Sequence, residues 1–170
     1  MLFFMAGSRC HGGLMADELR VEIRRYEKAD HDAVMALAPR LTEGVAAWRD
    51  SIAVADAACG WVRDSVRRAE DDRTTVFVAE DAGGVVGFVS VTERSHFTGE
   101  TDGYIGELVV AHGRERLGVG RALIEAAESW AKDRGHARIT LETGAANTNA
   151  RRFYAALGYS EEEVRLSRAL

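Results

Sequence analysis

The spacing of apolar positions changes period several times along the chain, and each change marks an element. Residues 20–25 alternate Val21 and Ile23 with charges, which predicts a half-buried strand. Asp30 stands ahead of Val34, Leu37 and Leu41, a helical spacing with Asp30 as its cap and Pro39 weakening its end. Residues 43–70 also read as helical, in two pieces broken near Cys59-Gly60, with Val62, Val66 and Ala69 on one apolar face. Residues 75–79 and 85–91 are β-rich runs joined by Asp-Ala-Gly-Gly at 81–84, a hairpin signal. Residues 95–102 are polar and contain glycine, as a loop does, and residues 104–110 predict a third strand of this group.

The second half alternates helices and strands. Val119, Leu123, Ala126 and Trp130 line one side of a helix from about residue 118 to 134, ended by Gly135. Residues 138–143 predict a strand with Ile139 and Leu141 on one face. Asn147 or Asn149 caps a short helix that stops at Leu157-Gly158, and residues 164–170 read as a final edge strand. The order is β-α-α-β-β-β-α-β-α-β. It predicts a single-domain α/β fold with a mixed, mostly antiparallel central sheet, helices on both faces and a right-handed β-α-β crossover.

Composition narrows the class. A chain of 170 residues and 18.6 kDa fits one domain, and 46% apolar with 29% charged residues argues against disorder. The net charge of −5 lacks the basic excess of a nucleic-acid binder. No apolar run has the length a bilayer requires. Cys10 and Cys59 cannot build a disulfide framework and fit a reducing cytoplasm. The five histidines show no paired ligand spacing, so no metal site is expected. Residues 1–14 lack the charged start of a signal peptide and read as a flexible tail before a domain of residues 15–170. The alternative is that Phe3 and Phe4 pack on the body or on a second subunit.

One segment carries chemistry. Glu115-Arg-Leu-Gly-Val-Gly-Arg-Ala122 falls between a predicted strand and a predicted helix. Two glycines one residue apart permit a sharp turn, and the free N–H groups of the helix start form an anion site suited to phosphate. The Lys-Ser/Thr ending of a P-loop is missing, and the three-glycine dinucleotide fingerprint is incomplete. A bare strand-to-helix turn is the bland alternative.

The Gly-loop block, the strand Arg-Ile-Thr-Leu-Glu-Thr after it, and Asn147, Ala150, Phe153, Tyr154, Gly158 and Tyr159 resemble the two linked blocks of the GNAT acetyltransferase superfamily. The resemblance is strong over roughly the last 65 residues. Two positions depart from it: His112 stands where proline is common, and Glu115 where the family carries Arg or Gln. Arg114, Arg116 and Arg121 could supply the positive field that Glu115 does not.

The resemblance implies acetyl-CoA as the acyl donor. Val109 and Val110 would pair through their backbone with the pantetheine arm, like an added strand. The backbone from Arg116 through Leu117, Gly118, Val119, Gly120 and Arg121 to Ala122 would hold the pyrophosphate, and Asn147 would contact the pantetheine. Asn147 could equally be a plain helix cap. Direct transfer to a primary amine of a small molecule needs a base for the amine and an acid for the departing thiolate. Tyr154 is the acid candidate, and Glu107, placed by alternation on one face with Ile105 and Val109, is the base candidate. Glu93 is a second base candidate; His96 and Asp102 are weaker ones.

On the acceptor side, Trp48, Trp61, His96, Phe97 and Tyr104 could form an aromatic wall. Glu43, Asp50, Asp56, Glu100 and Asp102 could attract a cation. The alternatives are acetylation of a protein or peptide, a non-catalytic CoA-binding module, and a nucleotide domain using the loop for another phosphate. The resemblance also admits a homodimer; no nucleic-acid or membrane partner is expected.

Overall fold

A computed structural model describes residues 21–169. The predicted tail, Phe3, Phe4, Cys10, Arg20 and Leu170 lie outside the described residues. Five strands form one sheet in chain order: β1 (Glu22–Arg25), β2 (Thr74–Asp81), β3 (Gly84–Ser95), β4 (Thr101–Val110) and β5 (Ile139–Leu141). The first four pair antiparallel, and β4 pairs parallel with β5. Helices α1 (His31–Leu37), α2 (Ser51–Arg67), α3 (Val119–Asp133) and α4 (Thr148–Ala156) complete the fold.

The sheet carries a core on each face. On one side Val76, Val78, Phe88 and Val109 pack with Val34 of α1 and with Val62 and Val66 of α2. On the other, Ala79, Val89, Val91 and Ile105 pack with Leu123, Ile124 and Ala127 of α3 and, from the rim, with Phe153, Tyr154 and Leu157 of or beside α4. Strand alternation sends successive residues of β2 to opposite cores, as period-two patterning requires. The mixed sheet with helices on both faces therefore agrees with the chain's patterning.

Several local expectations are corrected. The break near Cys59-Gly60 is not made: α2 runs through it, because Ala58, Val62, Ser65 and Val66 are buried on one stripe. That packing outweighs the ~1 kcal/mol that a mid-helix glycine costs. Residues 43–50 are not helical; Gly44 has φ +78, and Asp50 starts α2 by accepting from the Ala53 N–H at 2.8 Å. Asp30 stands at the start of α1, but its carboxylate accepts from Glu27 N at 2.8 Å and from the Arg24 guanidinium at 2.7 and 2.8 Å. At Pro39 the chain tightens into a 3₁₀ turn, Ala38–Thr42.

The hairpin strands extend further than patterning indicates, so the loop after β3 shrinks to residues 96–100. The final edge strand is absent from the described residues: residues 160–169 have no regular structure, and Val164 and Leu166 are exposed. Alternation alone does not make a strand without a hydrogen-bonding neighbour, and three successive glutamates, Glu161 to Glu163, precede this one.

Candidate active site

The site is set by what happens midway along β4. Val89 of β3 faces Leu108, but Val91 faces Ile105, so Ser90 stands opposite two residues, Gly106 and Glu107. This β-bulge shifts the alternation by one. Ile105 remains with the α3-side core, whereas Glu107 and Val109 turn toward α2. The expectation that Ile105, Glu107 and Val109 share a face is thus corrected, because simple alternation does not anticipate an extra residue.

Glu107 is buried beneath α2. Its Oε2 accepts from Ser65 Oγ of α2 at 2.8 Å and from Ser90 Oγ of β3, and Ser90 Oγ accepts the Glu107 N–H at 3.0 Å. Its Oε1 makes no hydrogen bond among the described residues. Neither serine is visible as a site residue in the sequence; only the fold brings positions 65 and 90 to 107. Trp61, exposed, lies one helical turn before Ser65 on the same side of α2.

Beyond Ile105 the pairing of β4 with β5 stops. Ala111 N–H donates to Val86 O, and Val109 is registered against Phe88, so the polar groups of Val109 point toward β3. Alternation then turns those of Val110 away from β3, to the side where β5 has parted. Of the two valines, Val110 is the one with a strand-like edge to offer.

The glycine loop follows. Arg116 has φ +61, and among the described residues no other non-glycine has positive φ; Gly118, at φ +87, caps α3. Such a φ costs an L-residue ~1 kcal/mol or more, a cost the loop bears at Arg116 and avoids at Gly118. It leaves the first N–H groups of α3 without intrahelical partners, with the positive end of the helix dipole behind them. Gly120 lies tightly against α4: a Cβ there would lie 3.3 Å from Phe153 Cζ, so the ring would have to give way. The two blocks separated in sequence are thereby in contact, and Phe153 and Tyr154 pack edge to face at 5.3 Å.

The charges of the loop are arranged differently from the sequence reading. Glu115 is not an opposing field: Arg40, from the 3₁₀ turn after α1, donates to its Oε1 at 2.5 Å, and Gly113 N–H donates to its Oε2 at 2.8 Å. The Arg40 guanidinium holds the Glu115 carboxyl down to about 2. Arg114 is taken up by Asp81 at 2.9 Å. Arg116 and Arg121 are exposed and make no ion pair among the described residues. A loop with free N–H groups, two uncommitted guanidiniums and a neutralised carboxylate fits a pyrophosphate.

Asn147 is a helix cap, its Oδ1 accepting from Ala150 N at 3.0 Å, while its Nδ2 donates to Glu43 O at 3.4 Å. Tyr154 is half-buried on α4, 5.7 Å from the Tyr159 ring, and its hydroxyl has no partner among the described residues. Burial pushes its hydroxyl up to about 12, so it is protonated at neutral pH.

The other candidates do not converge. Glu93 lies on the α3 side, held by Arg73 at 2.9 Å with Arg134 and His136 Nε2 at 3.6 Å. Glu43 pairs with Arg40, Asp50 caps α2, and Glu100 accepts from Thr98. His96 and Phe97 stack at 4.2 Å on the β3–β4 loop, with Phe97 exposed, and Trp48 is exposed before α2. Asp102 is buried, and Tyr104 lies under the Arg94 guanidinium at 4.4 Å. A cleft of about 660 Å³ at the far end of β2 and β3 shares no residue with the loop. Among the described residues no cluster could hold a metal ion, and no helix is long and apolar enough to cross a membrane.

The profile of the acetyltransferase (GNAT) family matches residues 38–159. The chain belongs to that family, and its class is therefore N-acetyltransferase, an acetyl-CoA-using enzyme class. Solved structures share its fold. A protein from Pyrococcus furiosus described as an acetyl transferase is 20% identical, with a TM-score of 0.71 over 89% of this chain and 100% of its own. The aminoglycoside acetyltransferase AAC(6')-Iy, in complex with a CoA-containing bisubstrate analog, is 22% identical, with a TM-score of 0.66 over 89% and 99%. Glucosamine-6-phosphate N-acetyltransferase from Arabidopsis thaliana is 21% identical, with a TM-score of 0.64 over 88% and 98%. No curated protein matches the sequence significantly.

Proposed function

We propose that this protein transfers the acetyl group of acetyl-CoA directly to a primary amine of a small molecule, within a ternary complex. The observation that carries the reading is the contact of Gly120 with Phe153, which docks the anion-binding loop beside the protonated Tyr154. Arg116, Leu117, Gly118, Val119, Gly120, Arg121 and Ala122 hold the pyrophosphate through backbone N–H groups, and Arg116 and Arg121 add charge. Val110, supported by Val109, lies along the pantetheine, with Asn147 near it. The donor supplies an activated thioester. Glu107 takes the amine proton, directly or through water, at Oε1, while Ser65 and Ser90 hold Oε2. Tyr154 gives its proton to the departing sulfur. One C–N bond forms and one C–S bond breaks, leaving an amide and a thiol. The reading also covers the placement of the protein in the cytoplasm and a homodimer as its assembly.

Thermal unfolding with excess acetyl-CoA, CoA and ATP tests the donor. At one hundred times Kd a ligand adds ~2.7 kcal/mol, a rise of roughly 5–10 °C. A shift with acetyl-CoA and none with ATP supports the reading; no shift with acetyl-CoA overturns it. A panel of small amines, with a peptide N-terminus and a lysine peptide as competitors, then assigns the acceptor.

A further inference from the structure

We propose that residues 40–44 are a strap coupling the acetyl-CoA site to the acceptor side, with Arg40 as its positioning residue; this rests on the acetyl-CoA reading above. Both blocks of that site grip the strap. At one end Arg40 Nη1 lies 2.5 Å from Glu115 Oε1 and 2.8 Å from His112 Nδ1, and Nη2 lies 3.1 Å from Glu43 Oε1. Glu115 is tied in turn to the Gly113 N–H. At the other end Asn147 Nδ2 donates to Glu43 O.

The backbones close the grip. A Cβ on Gly44 would lie 2.3 Å from Asn147 Cβ, and one on Gly144 would lie 2.4 Å from Gly44 O. The strap is therefore fastened across the loop before α3 and the cap of α4. Six residues further on, Asp50 starts α2, whose Ser65 holds Glu107.

A ligand that stabilises the 113–122 loop and Asn147 therefore stabilises the strap. The strap then steadies the start of α2 and the segment carrying Trp48. By linkage, an acceptor that engages this segment raises acetyl-CoA affinity by the same factor. Arg40 offsets the negative charge of Glu115 beside the loop and does not add a positive one. Restoring arginine at 115 alone breaks the strap, because it meets Arg40.

Hydrogen exchange read by mass spectrometry on the full chain, with and without saturating acetyl-CoA, tests this. In the parent protein acetyl-CoA slows exchange about tenfold in residues 40–47 as well as in 113–122, a size ordinary for coupling. Arg40→Met keeps the protection at 113–122 and loses it at 40–47, with exchange in β3 unchanged. Arg40→Lys keeps part of it. Glu115→Arg loses it, and Arg40→Glu combined with Glu43→Gln and Glu115→Arg regains it, the change at 43 removing the carboxylate that lies 3.1 Å from Arg40 Nη2.

Protection at 113–122 without protection at 40–47 in the parent overturns the coupling and leaves the acetyl-CoA reading standing. So does protection at 40–47 that survives Arg40→Met. No protection at 113–122 overturns the acetyl-CoA reading and the proposal with it. Should Arg40→Met raise exchange in β3 as well, Arg40→Lys and the charge exchange decide.

Discussion

Strand β4 has two neighbours that treat it differently. Toward β3 it is registered at eight positions along its whole length, from Thr101 to Val110. Toward β5 it is registered at three, Gly103 to Ile105, and then left alone. The first side carries stability, because its register is broken only at the bulge and its residues are packed between two cores. The second leaves polar backbone at Val110 without a strand partner, next to a loop of free N–H groups. Unsatisfied backbone is tolerated where solvent or a ligand can reach it. The bulge at Gly106-Glu107 follows directly on Ile105, the last residue paired with β5, and turns a carboxylate toward α2.

The comparison can be broken from either side. On the paired side, Phe88→Ala removes a fully buried ring and is expected to cost ~3–5 kcal/mol in urea unfolding, with acetyl-CoA affinity retained in the folded fraction. On the parted side, Tyr154→Phe is expected to lower kcat by ~10²–10⁴ with acetyl-CoA affinity within a few-fold. Steady-state rates with an amine from the panel measure it, and unchanged turnover removes Tyr154 as the acid.

Glu107→Gln sharpens the boundary. Its amide oxygen can take the place of Oε2 and keep the contacts with Ser65 and Ser90, and the variant is expected to lower kcat by ~10²-fold with acetyl-CoA affinity retained. Unchanged turnover excludes Glu107 as the base. Gly118→Ala is expected to weaken acetyl-CoA binding about tenfold while costing only ~1 kcal/mol of stability, since φ +87 strains an L-residue and nothing crowds its Cβ. Equal affinity in a titration would reduce the loop to a plain turn.

The smallest effect concerns the far edge of the paired side. The Arg24 guanidinium holds the Asp30 carboxyl below its ordinary 3.8. A lowered folded value means stability present above 3.8 and lost as pH falls through the lower value. The melting temperature of the parent should therefore drop more steeply below pH 4 than that of Asp30→Asn. The difference is about 1 kcal/mol, the ordinary net contribution of an intramolecular hydrogen bond, since Asp30→Asn keeps an acceptor for Arg24. Equal slopes would show that the pair contributes nothing.

Local pattern carried much of this. Alternation at 75–79 and 85–91, the glycine pair at 118 and 120, the helix stripe on Leu123 and Trp130, and Asn147 as a cap can each be read from neighbours within about four residues. Where a longer-range partner decides, the pattern misleads. The alternation at Val164 and Leu166 finds no strand to join. Gly60 looks like a helix break until α2 is laid on the sheet. Glu115 looks like a fault in an anion site until Arg40 arrives from 75 residues away.

By itself, then, the sequence determined the element order, the class of fold and the two motif blocks of an acetyltransferase, since those signals arise from local backbone preference and apolar periodicity. Tertiary structure alone decided which face Glu107 takes, which serines hold it, which valine keeps an unpaired edge, and how Glu115 is neutralised. A bulge, an ion pair and a parted strand depend on what lies opposite in space, and spacing along the chain does not encode that.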